Sequence, residues 1–425
     1  MAQPPDQTQD PRGGYLIRRH AHEALLTALS DTRAVVLLGA RQVGKSTLSR
    51  TVAAEVDRME VVSLDDRTLR GAANADPKGF LAARRRPILI DEIQRAPDLL
   101  FEIKSIVDED RRPGQFLLTG SANILTAPKV REALTGRAEY ITLWPLSQAE
   151  TAASQSNFVD TLLNGQPPHV EDAPVGRDAF VDIVARGGYP EASLRAPARR
   201  RVWYRDYIRS LIERDLRDIS DAEKLEQVPR LLRLIAAQAA NLFVPNAIGS
   251  KMAINKKTVT TYTRLLETVY IVQRVQAWTP GLGSREIQHE KIYVVDSGLM
   301  AYLLGANEQR IRAGDEITGK ILENFVAMEI ARLIDASRSQ PRQYHYRQQG
   351  GRDEIDIVLE NLSGEIAAVE VKAAATVASS DYRALAKLRD ARGSDFIAGV
   401  VFYTGPTTLA LTDRIFAVPI SALWA

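Results

Sequence analysis

Residues 39–46 read Gly-Ala-Arg-Gln-Val-Gly-Lys-Ser, a full match to G-x-x-x-x-G-K-[ST]. No other stretch restricts the fold as strongly, because this pattern works only between a buried strand and the first turn of a helix. Both neighbours fit: Ala34–Leu38 is an apolar run, and Thr47–Val56 is compatible with a helix. The glycines let consecutive backbone N–H groups curl around phosphate oxygens, and the helix adds its positive N-terminal end. In such a loop Gly39, Gln42, Val43, Gly44 and Thr47 line the phosphates. Lys45 neutralises the β and γ phosphates, and Ser46 takes a Mg²⁺ coordination position.

The stretch from Tyr15 to residue 150 repeats the βαβ pattern of a parallel sheet covered by helices. Its strands are expected at Ala34–Leu38, Met59–Leu64, Pro87–Ile90, Gln115–Leu118 and Tyr140–Leu143. The third ends in Asp91-Glu92, spaced from the loop so that Asp91 holds Mg²⁺ through its water shell and Glu92 polarises a water attacking the γ phosphate. The fourth ends in Thr119-Gly-Ser121-Ala-Asn123, where a polar side chain would act as a sensor of the γ phosphate, or simply form the turn. Arg137 is a candidate for reaching the nucleotide of an adjacent subunit; an ordinary surface salt bridge is the alternative.

Composition sets outer limits. A chain of 425 residues suggests about three domains. The 55 basic and 53 acidic residues leave a net charge of +2, so any nucleic-acid contact must come from local patches. The absence of cysteine excludes disulfides, thiolate zinc sites and a Cys nucleophile. Residues 1–14 read as a disordered leader without the apolar core of a secretory signal. No apolar run approaches the ~20 residues of a membrane span, so a cytoplasmic protein with no membrane partner is expected.

Residues 151–178, rich in Ser, Asn, Gln, Gly and Pro, read as a linker. A helical plus winged-helix domain is expected over 179–285. Its basic stretch from Arg199 to Arg217 is interleaved with acids, as on a solvated helix face. Arg230–Ala240 and Pro245–Lys251 read as helices, and Asn255-Lys256-Lys257 as a turn leading into the helix Thr258–Thr268. In that helix Val259, Tyr262, Leu265, Leu266 and Val269 face inward, leaving Lys256, Lys257, Thr260, Thr261, Thr263 and Arg264 outward. With strands at Tyr270–Trp278 and Lys291–Val295 this makes a helix-turn-helix with a two-stranded wing, a geometry that reads DNA or serves as a protein spacer.

The last block, 286–425, carries Glu354-Ile-Asp356 on one strand and Glu370-Val-Lys372 on its expected hairpin partner. Alternation puts Asp356, Glu370 and Lys372 on one face. Two carboxylates would bind Mg²⁺ or Mn²⁺ beside a lysine that orients a water for attack on a phosphodiester, with Glu323 from the helix Lys320–Ile334 as a third. An exposed charged hairpin is the plainer reading. Glu102-Ile-Lys104 repeats the short motif in an expected helix, so the order of elements carries the argument.

Taken together, the motifs resemble a family of bacterial and archaeal AAA-type ATPases with a C-terminal restriction-endonuclease-like domain of the PD-(D/E)xK superfamily. The resemblance rests on GARQVGKST with LIDEIQ and LLTGSAN, on LTGRAEYITLWPLS, on GGYPE at Gly187–Glu191, and on YVVDSGLMAYLLG before ILENFV, EIDIV and VEVK. It implies an α/β protein: a P-loop AAA-type parallel sheet, then the helical and winged-helix region, then an α/β restriction-endonuclease-like domain. It also implies ATP binding and hydrolysis through Gly44, Lys45, Ser46, Asp91 and Glu92, a homo-oligomer such as a hexameric ring, and a nuclease-type core at Glu323, Asp356, Glu370 and Lys372. Ile355 stands where that superfamily often has proline. The expected function is ATP hydrolysis coupled to binding or remodelling of DNA, branched or single-stranded, with a metal-dependent nuclease core. The alternative is a nucleotide-switched regulatory ATPase whose nuclease-like domain is silent. GGYPE has no chemical account from sequence beyond a hinge.

Overall fold

The computed structural model describes residues 17–120, 134–166, 177–217, 225–281, 285, 289–314, 316–348 and 353–425. Five short strands, β1 (Ala34–Leu38), β2 (Glu60–Ser63), β3 (Ile88–Asp91), β4 (Phe116–Thr119) and β5 (Ala138–Thr142), form a wholly parallel sheet in the order β2-β3-β4-β1-β5. Every residue of β1 and β4 is buried, as both faces of a parallel sheet require. One face packs on the helix Leu99–Glu109 through Leu99, Leu100, Ile103 and Val107. The other joins a core that runs through the rest of the molecule.

A second, three-stranded sheet holds β6 (Asn241–Leu242), β7 (Val272–Val275) and β8 (Lys291–Val294) in the antiparallel order β6-β8-β7. The helices Val228–Ala237, Pro245–Met252 and Lys256–Thr268 precede and follow β6. A third sheet of six strands comprises β9 (Arg342–Arg347), β10 (Glu354–Glu360), β11 (Ile366–Val371), β12 (Phe396–Tyr403), β13 (Leu409–Thr412) and β14 (Ile415–Pro419). Its order is β13-β14-β12-β11-β10-β9, and the expected β10–β11 hairpin is its centre. The helix Glu316–Asp335 lies between the second and third sheets with most of its residues buried.

Three expectations need correction. Within 151–178, Phe158–Leu163 is a helix with Phe158, Val159 and Leu162 buried, and the Phe158 ring lies 5.0 Å from that of Phe402. Three apolar residues at helical spacing docked this segment on the third sheet despite its polar composition; residues 167–176 lie outside the described residues. The second concerns Thr263, expected outward. It is 1% exposed and donates its hydroxyl to Val259 O at 2.8 Å, which satisfies the one polar atom that burial would otherwise strand. Lys256 and Lys257 belong to the first helical turn rather than a turn before it, because Asn255 caps that helix by accepting from Thr258 N at 2.7 Å. Among the described residues no helix is long and apolar enough to cross a membrane.

The GGYPE run now has a physical explanation. Gly187 and Gly188 pass between the buried Asp296 carboxylate and the chain leaving β5. Gly188 N donates to Asp296 Oδ2 at 2.6 Å, and Leu146 N donates to Gly188 O at 2.7 Å. A Cβ on Gly188 would lie 2.2 Å from Leu146 O, and Gly187 has a φ of +70°. Tyr189, fully buried, shares a hydroxyl contact with Tyr207 at 3.0 Å. Gly188→Ala is therefore expected to destabilise the fold by about 1–3 kcal/mol, the usual cost of overpacking a tight site. Thermal unfolding checks this, and an unchanged Tm would contradict the close approach.

Candidate functional site

The phosphate loop starts where β1 ends. Gly39 has a φ of +146°, and a Cβ there would sit 2.2 Å from Leu143 O, so only glycine passes. Gly44, at φ +100°, opens the helix Lys45–Glu55. Gln42 is exposed, with a left-handed φ of +63°, and Thr47 is exposed at the outer face of the first turn. Val43 is buried, and its carbonyl accepts from Arg19 Nη1 at 2.8 Å. Arg19 also donates to Trp144 O at 2.7 Å and to Glu150 at 3.0 Å, so it braces the loop from outside. Sequence gave no signal for Arg19, which lies 24 residues before Val43 in a polar stretch.

Lys45 is buried, with Nζ donating to Gly39 O at 2.9 Å and Ala40 O at 2.8 Å. Burial pushes its pKa down to about 8, opposed by Glu92, Asp215 and Asp91. Ser46 Oγ donates to Asp91 Oδ1 at 3.0 Å. The order of the first sheet puts β4 between β1 and β3, so Thr119 stands between the loop and the two acids. Its hydroxyl bonds Asp91 Oδ1 and accepts from Glu92 N at 3.2 Å. Glu92 has a φ of +62°, a strained conformation of the kind that collects at functional sites, and the Gln94 amide holds its carboxylate. Ser121 and Asn123 lie outside the described residues.

Two further charges enter this site, Arg50 after the loop and Asp215 from far along the chain. Arg50 Nη2 is 3.9 Å from Asp91 Oδ2, one helical turn after Ser46. Arg41, within the loop, pairs with Asp215 at 2.8 Å, from the π-helical segment Leu211–Leu216. Arg137 instead makes a bidentate pair with Asp108 of its own chain, at 2.6 and 2.8 Å, and holds the Asp108 carboxyl below its ordinary range. The surface salt bridge is thus the arrangement seen for Arg137. The residues of the loop fit a nucleoside triphosphate with Mg²⁺: a hydroxyl and a carboxylate already share one hydrogen bond where the ion would sit, and a buried ammonium lies beside them.

The C-terminal acids come together differently from the expected metal site. Lys291 of β8 reaches Glu323 at 2.7 Å, Glu354 at 3.0 Å and Asp356 at 3.2 Å. Asp356 Oδ2 accepts from Val371 N at 3.0 Å, and Lys372 Nζ pairs with Glu370 Oε1 at 2.8 Å. Burial raises the Glu323 carboxyl well above its ordinary range and takes that of Glu370 up to about 8, with Asp356 adding to both. Burial works against the charge on Lys291, but Tyr293, Asp356, Glu323 and Glu354 outweigh it and hold its ammonium well above the usual range. Among the described residues no group of three or more Asp, Glu or His side chains is set to hold a metal ion. As arranged, an ammonium stands among Glu323, Glu354 and Asp356, and Glu370 is paired with Lys372 instead. Lys291 lies 32 residues or more from its partners, so no local motif announced it.

Residues 31–152 match a family model described as an AAA domain. With the loop geometry, this defines the N-terminal unit as an AAA-type P-loop domain. Residues 177–310 and 318–423 match models described as domains of unknown function, DUF8612 and DUF4143. The chain is similar to two mycobacterial proteins named as uncharacterized, Mb2031c of Mycobacterium bovis and Rv2008c of Mycobacterium tuberculosis. Each is 29% identical over 404 residues, covering 95% of this chain and 83% of the relative. Among solved structures, the Walker-type ATPase PABY2304 of Pyrococcus abyssi aligns at 16% identity and TM-score 0.44, over 68% of this chain and 96% of that one. AMPPCP-bound DnaA from Aquifex aeolicus aligns at 14% and 0.29, over 58% and 86%.

The Lys45 pKa sets a pH dependence. Phosphates bind the protonated ammonium, so above about 8 the empty loop must take up a proton as it binds. Nucleotide affinity is expected to fall as pH rises through that value, by up to about tenfold per unit. Titration with ATP between pH 7 and 9.5 checks this, with Lys45→Ala weak and flat across the range.

Proposed function

We propose that the chain hydrolyses ATP and uses the cycle to act on DNA. The observation that carries hydrolysis is the linked set Ser46–Asp91–Thr119–Glu92 beside the buried Lys45. Lys45 leaves its two carbonyl partners for the β and γ phosphates, and Ser46 and Asp91 hold Mg²⁺, which neutralises phosphate charge. Glu92, fixed by Gln94 and by its strained backbone, orients and polarises the attacking water. Thr119 ties the two acids together and is in place to register the γ phosphate.

DNA binding rests on the middle unit. Helix, strand, helix, helix and two strands, with sheet order β6-β8-β7, supports the winged-helix reading. Its third helix exposes Lys256, Lys257, Thr261 and Arg264 on one side and buries Val259, Tyr262 and Leu266 on the other. The wing is engaged elsewhere: Ala277 bridges His345 of β9, and Trp278 and Arg285 both bond Glu360. The helix would therefore make the DNA contact without the wing. The units proposed are 15–150, 179–285 and 286–425, with β8 (Lys291–Val294) crossing that last boundary to complete the middle unit's sheet. Assembly into a homo-oligomer belongs to the same reading, and Arg137 would reach a neighbouring nucleotide only after its Asp108 pair opens.

A second reading, a nucleotide-switched protein with a silent nuclease-like domain, is favoured by one observation, the Lys291 ammonium among the C-terminal acids. ATPase rate with and without DNA separates the two: stimulation supports DNA action, and no binding with no stimulation rejects it.

Glu92→Gln is expected to retain ATP affinity while lowering turnover by about 10²–10⁴-fold, the usual worth of a positioned base. Unchanged turnover would remove Glu92 from the mechanism. Lys256→Ala and Lys257→Ala are each expected to weaken DNA binding and reduce its log–log salt slope by about one. Binding isotherms at several salt concentrations read this, and equal slopes in wild type and the double variant would reject the helix as the contact.

A further inference from the structure

Lys291 is one of twelve lysines in a chain with 43 arginines. Its side chain is 1% exposed. It leaves the second sheet and ends among carboxylates of another part of the molecule: Glu323 on the helix Glu316–Asp335, and Glu354 and Asp356 on β10. Its ammonium donates to Glu323 Oε1 at 2.7 Å and to Asp356 Oδ1 at 3.2 Å and pairs with Glu354 Oε1 at 3.0 Å, so three carboxylates surround it. The neighbouring contacts keep it there. Before Lys291 the chain is held by Trp278 N donating to His345 O and by the Arg285–Glu360 pair; at Lys291 itself it is held by the β7–β8 ladder.

A divalent ion bound by Glu323 and Asp356 would have to occupy the region Lys291 fills. Two cations a few ångströms apart in a buried site repel strongly, with little water to screen them. The ammonium and a metal are therefore alternatives. A second observation points the same way: Asp356 Oδ2 is committed to Val371 N and Glu370 Oε1 to Lys372. Glu370 Oε2 is buried and without a hydrogen-bond partner among the described residues. Asp356 Oδ1 is taken by Lys291, so both oxygens of Asp356 and one of Glu370 already face a cation or an N–H donor.

We propose that Lys291 is the resident cation of this acidic core: its ammonium stands in for a divalent ion, pins the second sheet to the third, and keeps the core from binding metal. Phosphodiester cleavage through a metal at Glu323, Asp356 and Glu370 is thereby excluded while Lys291 stays in place. This goes beyond ATP hydrolysis and does not depend on it.

The probe is Mn²⁺ alone, titrated into the full nucleotide-free chain, with free Mn²⁺ read by electron paramagnetic resonance. Wild type and Asp356→Asn are expected to bind the same number of ions. Lys291→Met, folded by circular dichroism, is expected to gain one Mn²⁺, and Lys291→Met with Asp356→Asn to lose it again. A Mn²⁺ held by the wild type and absent from Asp356→Asn overturns the proposal, as does a folded Lys291→Met that gains none. Should Lys291→Met fail to fold, the comparison of wild type with Asp356→Asn and Glu323→Gln decides. No ATP is present, so failure of the hydrolysis reading leaves these outcomes intact.

Discussion

Asp296 is completely buried, and the arrangement of the whole chain turns on keeping that charge satisfied. Its Oδ1 accepts from Leu299 N at 2.7 Å and from the Tyr204 hydroxyl at 2.8 Å, while Oδ2 accepts from Gly188 N. An unpartnered buried carboxylate would cost several kcal/mol, so the three donors must arrive together. Gly188 brings the chain that follows the first sheet and Tyr204 the helix Pro197–Ser210, while Leu299 belongs to the helix Ser297–Leu303 that Asp296 caps. Glu329 and Arg332 of the long buried helix extend the network, accepting from Gln148 N and donating to Leu146 O and Val295 O. One buried charge thus sets the register of the nucleotide unit against the rest.

The same interface reaches the phosphate loop. Tyr189 packs against Trp203 and Tyr207, and the Tyr207 hydroxyl donates to Arg41 O at 3.4 Å. Arg41 in turn pairs with Asp215, so the loop is contacted by backbone and side chain from the helical unit. The loop's two cationic side chains are already compensated within the protein, Lys45 by carbonyls and Arg41 by a carboxylate. Phosphates arriving at the loop would replace these partners, and the helical unit would lose part of its hold.

Much of this was legible in the sequence where the physics is local. A strand, a glycine loop and a helix start are neighbours in the chain, so residues 34–56 declared the parallel-sheet unit and the loop between β1 and the helix Lys45–Glu55. The hairpin of β10 and β11 was equally plain, since a short turn joins two alternating runs. The partners of Lys291, Arg19 and Asp215 lie far off in the chain, and single-sequence periodicity carries nothing about such pairs. Phe158–Leu163 misled for a different reason: three buried residues decided its conformation against a polar surrounding composition. Thr263 looked polar and outward, yet its own helix supplied an acceptor that made burial inexpensive.

The hold of Ala277, Trp278, Arg285 and Lys291 on β9 and β10 has a consequence for how such chains diversify. The boundary between the second and third units is drawn through shared hydrogen bonds and a shared charge balance rather than through an exposed linker. A recombination event joining this third sheet to a different middle unit would leave Glu323 and Asp356 facing each other without their ammonium. The converse exchange would bury a lysine with no carboxylate. The second and third sheets are therefore expected to travel through evolution as one heritable block.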